Sequence, residues 1–540
     1  MRIFSSKKER ANTVQAYVLS FPARQAPPAC SSRLIVSHFS PKFNGLFSPK
    51  SLDKKLFCVI LYLISEEEEI FFSRERSEVP VMRDLTQGNI HKTFLVFSLP
   101  IILSSMLQTA FGLINTSVAG LFLGPQALAA LGATSSYFGI IQALFYGHAY
   151  GLSIYAGNMF GAKEYRHLKT SVQTNILLVL GVSTLFAAIS ILCYRPVFHY
   201  LNIEDAIWEE TKTYYFCLCV HLVVSLCSHF YLMCCNAVGV TTFPLVISIV
   251  ASVLNVVGNL LSVTVLNLGV LGIGLATVLS AAVSFLCYFI RFRHYYRQMG
   301  VHKIKVTPHW RYIARVFPAS GPNILQQISM HVANLVTAPL TNGMGYVALA
   351  VLAIGGNIRN WLVVFYNASA KTASNYIAQC VGAKKFNLIK KAARTALLHS
   401  FVVVLPLMAL IYIFPDALCD IFIQDGSDSA VREGVGQYIR VFFPMCGINM
   451  VCAVFHSVFR GVGANDKLLI GSIITSVASI VLGFLLIPSM GLMGYYLCHG
   501  IAWAIEAAYE VIVYWTGRWI PKHLRKEIWK QKNEKQEITE

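Results

Sequence analysis

From residue 94 to residue 517 the chain is a series of apolar stretches, each about twenty residues or longer, parted only by short breaks. A helix rises about 1.5 Å per residue, so about twenty apolar residues cross the roughly 30 Å hydrocarbon core of a bilayer. Lipid offers backbone N–H and C=O groups no partner, and a helix satisfies them within its own segment. The expected fold is an all-α polytopic membrane protein with twelve transmembrane helices. The spans are expected at 94–119, 127–155, 169–193, 211–235, 243–266, 269–291, 312–340, 345–374, 391–414, 434–459, 467–487 and 490–516. Gly124-Pro125, Asn267-Leu268-Gly269, Asn342-Gly343 and Pro488-Ser489 read as joints. With 55% hydrophobic and 13% charged residues, the composition excludes an ordinary soluble domain.

Charge orients the bundle. The loop after span two carries Lys163, Arg166 and Lys169, that after span six Arg291 to Arg315, and that after span eight Lys384, Lys385, Lys390, Lys391 and Arg394. The odd-numbered loops are nearly free of basic residues, and the third and ninth are acidic around Glu204-Asp205 and Asp416 to Asp428. The positive-inside rule then puts the even loops and both termini in the cytoplasm, in a multi-pass plasma-membrane protein. The net charge of +18 is thereby a topology signal, and no nucleic-acid partner is expected. Most of the fourteen cysteines sit inside apolar runs without metal-ligand spacing, so they read as small hydrophobes.

The halves repeat one another. GAKEYRHLKTSVQT at 161–174 recurs as GAKKFNLIKKAART at 382–395, NAVGVTTFPLV at 236–246 as RGVGANDKLLI at 460–470, and LGVLGIGLATVLS at 268–280 as MGLMGYYLCHGIA at 490–502. An even number of spans per repeat gives both halves one orientation, related by a pseudo-two-fold axis along the membrane normal, with a solute site between them. The expected organisation is a non-conforming N-terminal extension over 1–81, six-helix lobes over 82–300 and 301–518, and a basic cytoplasmic tail over 519–540.

These segments resemble the multidrug and toxic compound extrusion (MATE) transporters, most closely their bacterial branch. The resemblance rests on DLTQGNIHKTFLVFSLPIILSSMLQTAFGLINTSVAGLFLGPQALAALGA at 84–133, the two GAK motifs, NAVG at 236, LGVLGIGLAT at 268 and FRGVGANDK at 459. It implies two lobes in a V, alternating access, and export of small organic solutes across the bacterial inner membrane in antiport with H⁺ or Na⁺. No cofactor beyond the coupling ion, and a monomer, are expected.

One departure stands out. Carboxylates that the family places in the membrane align with Asn115, Asn259, Gln326 and Asn449, all amides. An amide cannot release a proton, although its carbonyl oxygen can coordinate Na⁺. The remaining intramembrane charges are candidates in their place, since a charge at mid-bilayer costs at least about 2.5–3.5 kcal/mol. Arg359 falls near the middle of span eight, and Lys371 about 18 Å further along, within snorkelling reach of the cytoplasmic interface. Glu506 and Glu510 share one face of span twelve; Glu510 is expected at the interface, and Glu506 as a partner of a basic residue or a relocated proton site. His148, His221, His229, His331, His456 and His499 also lie within spans, with His331 and His456 in those of Gln326 and Asn449.

Arg359 and Lys371 favour an anionic or zwitterionic solute, against an apolar and aromatic lining suited to drugs. A flippase for a lipid-linked or anionic substrate on the same scaffold is the alternative. The chain carries no phosphate-binding loop, no H-E-x-x-H, no G-x-S-x-G and no filter-like sequence, which disfavours an ATPase, an intramembrane enzyme and a channel. Met82 opens the polar lead into span one. The expected outcome is that a protein starting at Met82 retains transport in liposomes; loss of flux with intact insertion would assign residues 1–81 to the functional protein.

Overall fold

The repeat seen in the sequence becomes a repeat of helix pairings. The computed structural model describes residues 82–201, 203–415 and 429–539, so the 1–81 extension and the acidic Asp416 to Asp428 loop lie outside the described residues. The first half comprises α1 (Ile90–Val118), α2 (Pro125–Gly161), α3 (Tyr165–Leu192), α4 (Trp208–Ala237), α5 (Thr242–Thr264) and α6 (Gly269–Gln298). The second comprises α7 (Trp310–Asn342), α8 (Tyr346–Gly382), α9 (Asn387–Ile413), α10 (Ser429–Val462), α11 (Asn465–Met490) and α12 (Leu492–Trp515). In the first half α1 packs on α5, α5 and α4 on α6, and α2 and α3 on α4. The same pairings recur six helices later: α7 on α11, α11 and α10 on α12, α8 and α9 on α10. This is the twelve-helix, two-lobe architecture expected.

Ten of these helices are long and apolar enough by composition alone to cross a membrane; α7 and α12 fall short. Their polar content explains it. α7 carries Asn323, Gln326 and Gln327 with three prolines, and α12 carries Glu506 and Glu510, so both have a polar face turned into the protein.

Several boundaries differ from expectation. α8 runs eight residues past its expected end at 374, because helical hydrogen bonding continues where apolarity stops and the polar turns are packed between the lobes. Pro488 lies inside α11, where its ring costs only one hydrogen bond near the helix end; the turn comes at Gly491, whose φ of 55° suits a residue without a Cβ. The 519–540 tail contains a helix, α13 (Lys522–Thr539), anchored by buried Trp519 and Leu524, with the Trp519 indole donating to the carbonyl of Tyr514.

The lobes interlock at the end that bears the basic loops. A Cβ on Gly161 would strike the carbonyl of Gln379, and a Cβ on Gly382 would strike that of Asn158. Gly161 and Gly382, like Asn158 and Gln379, are 221 residues apart, so the two contacts exchange under the pseudo-two-fold axis. The lysines of the two GAK turns, Lys163 and Lys384, both adopt left-handed φ, at 59° and 57°. α1 and α7 cross between lobes in the same reciprocal way. The foot of α1 (Leu85, Phe94, Phe97) packs with Tyr376, Phe455 and Phe459 of the second lobe, whereas its far end, at Val118, returns to the first. At the foot of α7, Ser320 lies 2.5 Å from where a Cβ on Gly151 would stand, and Ile324 2.6 Å from one on Gly147; further along, Thr337 faces Gly483 of its own lobe.

The segment before α1 ties these parts together. The Arg83 N–H donates to the Val238 carbonyl, the Leu85 N–H to Oε1 of Gln379 at 2.8 Å, and Lys385 to the Thr86 hydroxyl at 2.7 Å. Overpacking a close contact costs about 1–3 kcal/mol, enough to shift a two-state ratio by about fivefold or more. Gly161→Ala and Gly382→Ala are each expected to weaken the closed basic end, read as a longer distance between spin labels at Lys163 and Lys384. An unchanged distribution would mean that this contact does not set the state.

Candidate functional site

The second lobe holds a cavity of about 380 Å³ between α7, α8, α10, α11 and α12, with Tyr150 of α2 closing one side. Five of the residues singled out in the sequence meet there: Gln326, Arg359, Lys371, Asn449 and Glu506. Asn115 and Asn259 do not. They lie in the first lobe, where the Asn259 amide donates to Oδ1 of Asn115 at 2.7 Å and of Asn255 at 3.1 Å, and Thr277 accepts from Asn115 and Asn255 at 3.4 and 3.2 Å. This buried set is closed on itself. Of its three amide oxygens only Oδ1 of Asn259 lacks a partner, and a single amide oxygen is far from the oxygen cage that a hard cation needs.

The first lobe has its own cavity, of about 330 Å³, lined by uncharged polar and aromatic groups including Gln108, Gln142, Tyr146 and His229. His229 stacks on Tyr146 with ring centroids 4.1 Å apart. His148 is held by Asn175 at 3.0 Å, and His331 is exposed on α7, away from both cavities.

Of these two cavities, only the one in the second lobe is lined by Lys, Arg or Glu side chains. Arg359 faces it with a buried Nε that has no hydrogen-bond partner. Lys371 lies twelve residues further along α8 on the same wall. Arg460, near the end of α10, donates to Oδ1 of Asn323 at 2.7 Å and to Oε1 of Gln326 at 3.2 Å, with its guanidinium 4.5 Å from the ring centroid of Tyr150. Among the described residues no carboxylate pairs with any of these three cations. Asn449 accepts a 2.6 Å hydrogen bond from the Tyr366 hydroxyl, which orients its amide at the cavity edge.

The two acids gather around His456 instead. Its Nε2 lies 3.1 Å from Oε1 of Glu506 and 3.0 Å from Oε1 of Glu510. Nε2 has one hydrogen, and the geometry directs it at Glu506; Glu510 is at ion-pair distance, yet neither of its oxygens receives a hydrogen bond. On the other side of the ring, Nδ1 lies 3.4 Å from the Gln326 amide nitrogen. Both carboxyl groups are buried and joined by the imidazole, an arrangement made for sharing protons.

Glu510 thus departs from expectation. It is fully buried rather than interfacial, because α12 turns the face shared with Glu506 toward α10 and α11. Arg460 was missed by weighing only charges well inside apolar runs, since it sits at a helix end in a loop motif. The signal was in the repeat: RGVG places Arg460 where NAVG has Asn236, so one half has gained a charge at a matched position.

The comparisons agree with this architecture. The profile of the family described as MatE matches residues 100–261 and 318–485, one match per lobe and together more than half of the chain. The probable multidrug resistance protein YpnP of Bacillus subtilis is 22% identical over 81% of this chain and 97% of its own. A protein named FAD transporter from Shewanella oneidensis is 24% identical over 66% of this chain and 79% of its own. Among solved structures, the Vibrio cholerae MATE transporter VcmN in the bent form superposes with a TM-score of 0.72 at 20% identity, over 81% of this chain and 97% of that one. With a matched half on each side of the pseudo-two-fold axis, the chain belongs to the MatE family of membrane transporters.

Proposed function

We propose that the protein is a secondary active transporter that exports a small organic solute by alternating access, in antiport with an ion, and that the solute binds in the cavity of the second lobe. The observation that carries this reading is the cavity itself, which combines aromatic surface from Tyr150, Tyr366 and Trp503 with convergent polar groups. If the basic loops are cytoplasmic, as their charge predicts, the interlocked end closes the protein toward the cytoplasm, and the described state is the outward-facing one. The multidrug resistance relative supports export of organic compounds.

A second reading, an anionic solute, is favoured by Arg359, Lys371 and Arg460. Buried or half-buried charges without a countercharge are costly, and a bound anion would compensate them. The name of the Shewanella relative is compatible with it, since FAD carries a pyrophosphate. A lipid-linked pyrophosphate, moved by flipping, belongs to the same charge class.

Protein starting at Met82, reconstituted into liposomes under a pH or Na⁺ gradient, separates these readings. Lucifer yellow serves as the organic anion and ethidium as the cation, because neither changes charge near neutral pH. Saturable flux with counterflow of either dye is expected of a carrier. On the anion reading, Arg359→Ala lowers the apparent affinity for Lucifer yellow about tenfold or more, the scale of a lost charge-assisted hydrogen bond, and leaves ethidium unaffected. Ethidium flux alone would overturn the anion reading, and no carrier flux of either dye would overturn the exporter reading in favour of a flippase.

A further inference from the structure

The amides at the aligned positions leave open where a proton could act, and the cluster beside the cavity answers that on geometry. We propose that His456, Glu506 and Glu510 form the proton-binding site of the transport cycle, and that Gln326 passes its occupancy to Arg460 at the solute cavity. The proposal rests on the reading of that cavity as the solute site.

The charge count requires a proton. One imidazole faces two carboxylates within 3.1 Å, all three buried or nearly so. With Nδ1 bare, as in the described geometry, the imidazole is neutral and compensates neither carboxylate; in the loaded state a protonated imidazole balances one carboxylate, and the second must hold a proton or carry an uncompensated charge in a low-dielectric setting. Glu510 is the group so placed, fully buried, with Oε1 3.0 Å from the shared Nε2 but no hydrogen bond to either oxygen. Cavity-lining Glu506 links it to the space where solute and water enter.

The other titratable and charged groups around the cluster are few. α10 contributes Cys452, beside both acids, and Arg460. α12 contributes Tyr509, and α8 contributes Arg359, Lys371 and Tyr366 across the cavity, with Tyr150 of α2 at its side. α11 faces the cavity with only the hydroxyls of Ser472 and Thr475, and α7 with amides. Among the described residues every other charge lining the cavity is therefore positive, and loss of a proton from the cluster lowers the positive charge that faces the solute by one unit.

Gln326 carries the signal. Its oxygen accepts from Arg460 while its nitrogen donates to Nδ1 of His456, an arrangement that requires that nitrogen to be unprotonated. A proton on Nδ1 would face the amide N–H₂. The amide must then turn its oxygen to the ring, which presents N–H₂ to Arg460 and breaks that contact. Arg460 thereby keeps its bond to Asn323 but loses the one from Nη2 to Gln326, and Nη2 is freed toward the solute when the cluster loads a proton. The sign follows from charge alone: a proton favours an anion in the cavity and disfavours a cation. One unit charge roughly 10 Å away, at an effective dielectric constant of about 20, changes binding by about tenfold.

Two readouts on the intact chain test this. Infrared difference spectra between acid and neutral pH should show the carbonyl stretch of a buried protonated carboxyl group, lost in both Glu510→Gln and Glu506→Gln and retained in Glu209→Gln, which alters an exposed acid on the first lobe. This readout needs no solute. Equilibrium binding to reconstituted protein should strengthen about tenfold for Lucifer yellow and weaken about tenfold for ethidium as pH falls, independently of Na⁺. Gln326→Leu should keep the infrared band and abolish the pH dependence, which a merely structural role would not separate. A band that survives both Glu substitutions, or pH-dependent binding unchanged by them, overturns the proposal. A correct infrared pattern with neither dye bound keeps the proton site and overturns the solute reading of the cavity.

Discussion

The architecture depends on the close approach of the ends of α2 and α8. Gly161 against the Gln379 backbone and Gly382 against that of Asn158 bring two helices together without side chains between them. Because the contact is reciprocal, it lies on the pseudo-two-fold axis and holds both lobes equally. The crossings of α1 and α7 and the stitch from Arg83 to Lys385 lie beside it. Close packing makes such an interface discrete: the two helix ends either fit at this distance or separate.

The lobes share a fold and differ in electrostatics. In the first, amides and hydroxyls satisfy one another around Asn115, Asn255 and Asn259, and the cavity nearby is neutral. In the second, three cations, one acid and a histidine line a cavity, and a second acid stands behind them. A low-dielectric interior makes each charge expensive unless it is compensated, so the segregation of signs is informative. The acids are not spent on the cations. On the proposed reading, the positive wall is left for a solute and the acids are left to exchange protons, so that a cation would compete with the proton and an anion would bind with it.

Much of this was legible in the sequence. Span count, the repeat and the alternation of basic loops follow from bilayer thickness and from the cost of moving charge across it, which act on local segments. The placement of Arg359, Lys371, Gln326, Asn449 and Glu506 at one cavity was foreshadowed because each is a polar residue inside an apolar run. Where local rules compete with packing they misplace residues. Pro488 reads as a breaker but is tolerated near the end of α11, and Glu510 reads as interfacial because Trp515 and Arg518 follow it.

The sequence by itself determined that the chain is a duplicated membrane bundle and which charged residues lie well inside its apolar runs, because hydropathy and periodicity are properties of contiguous segments. Only the tertiary structure decided which charges meet. Arg460, Gln326, His456, Glu506 and Glu510 come from three helices, and their contacts depend on the rotation of α7, α10 and α12 about their own axes. That rotation is set by packing against other helices of the bundle, on which the local pattern of each helix carries no information.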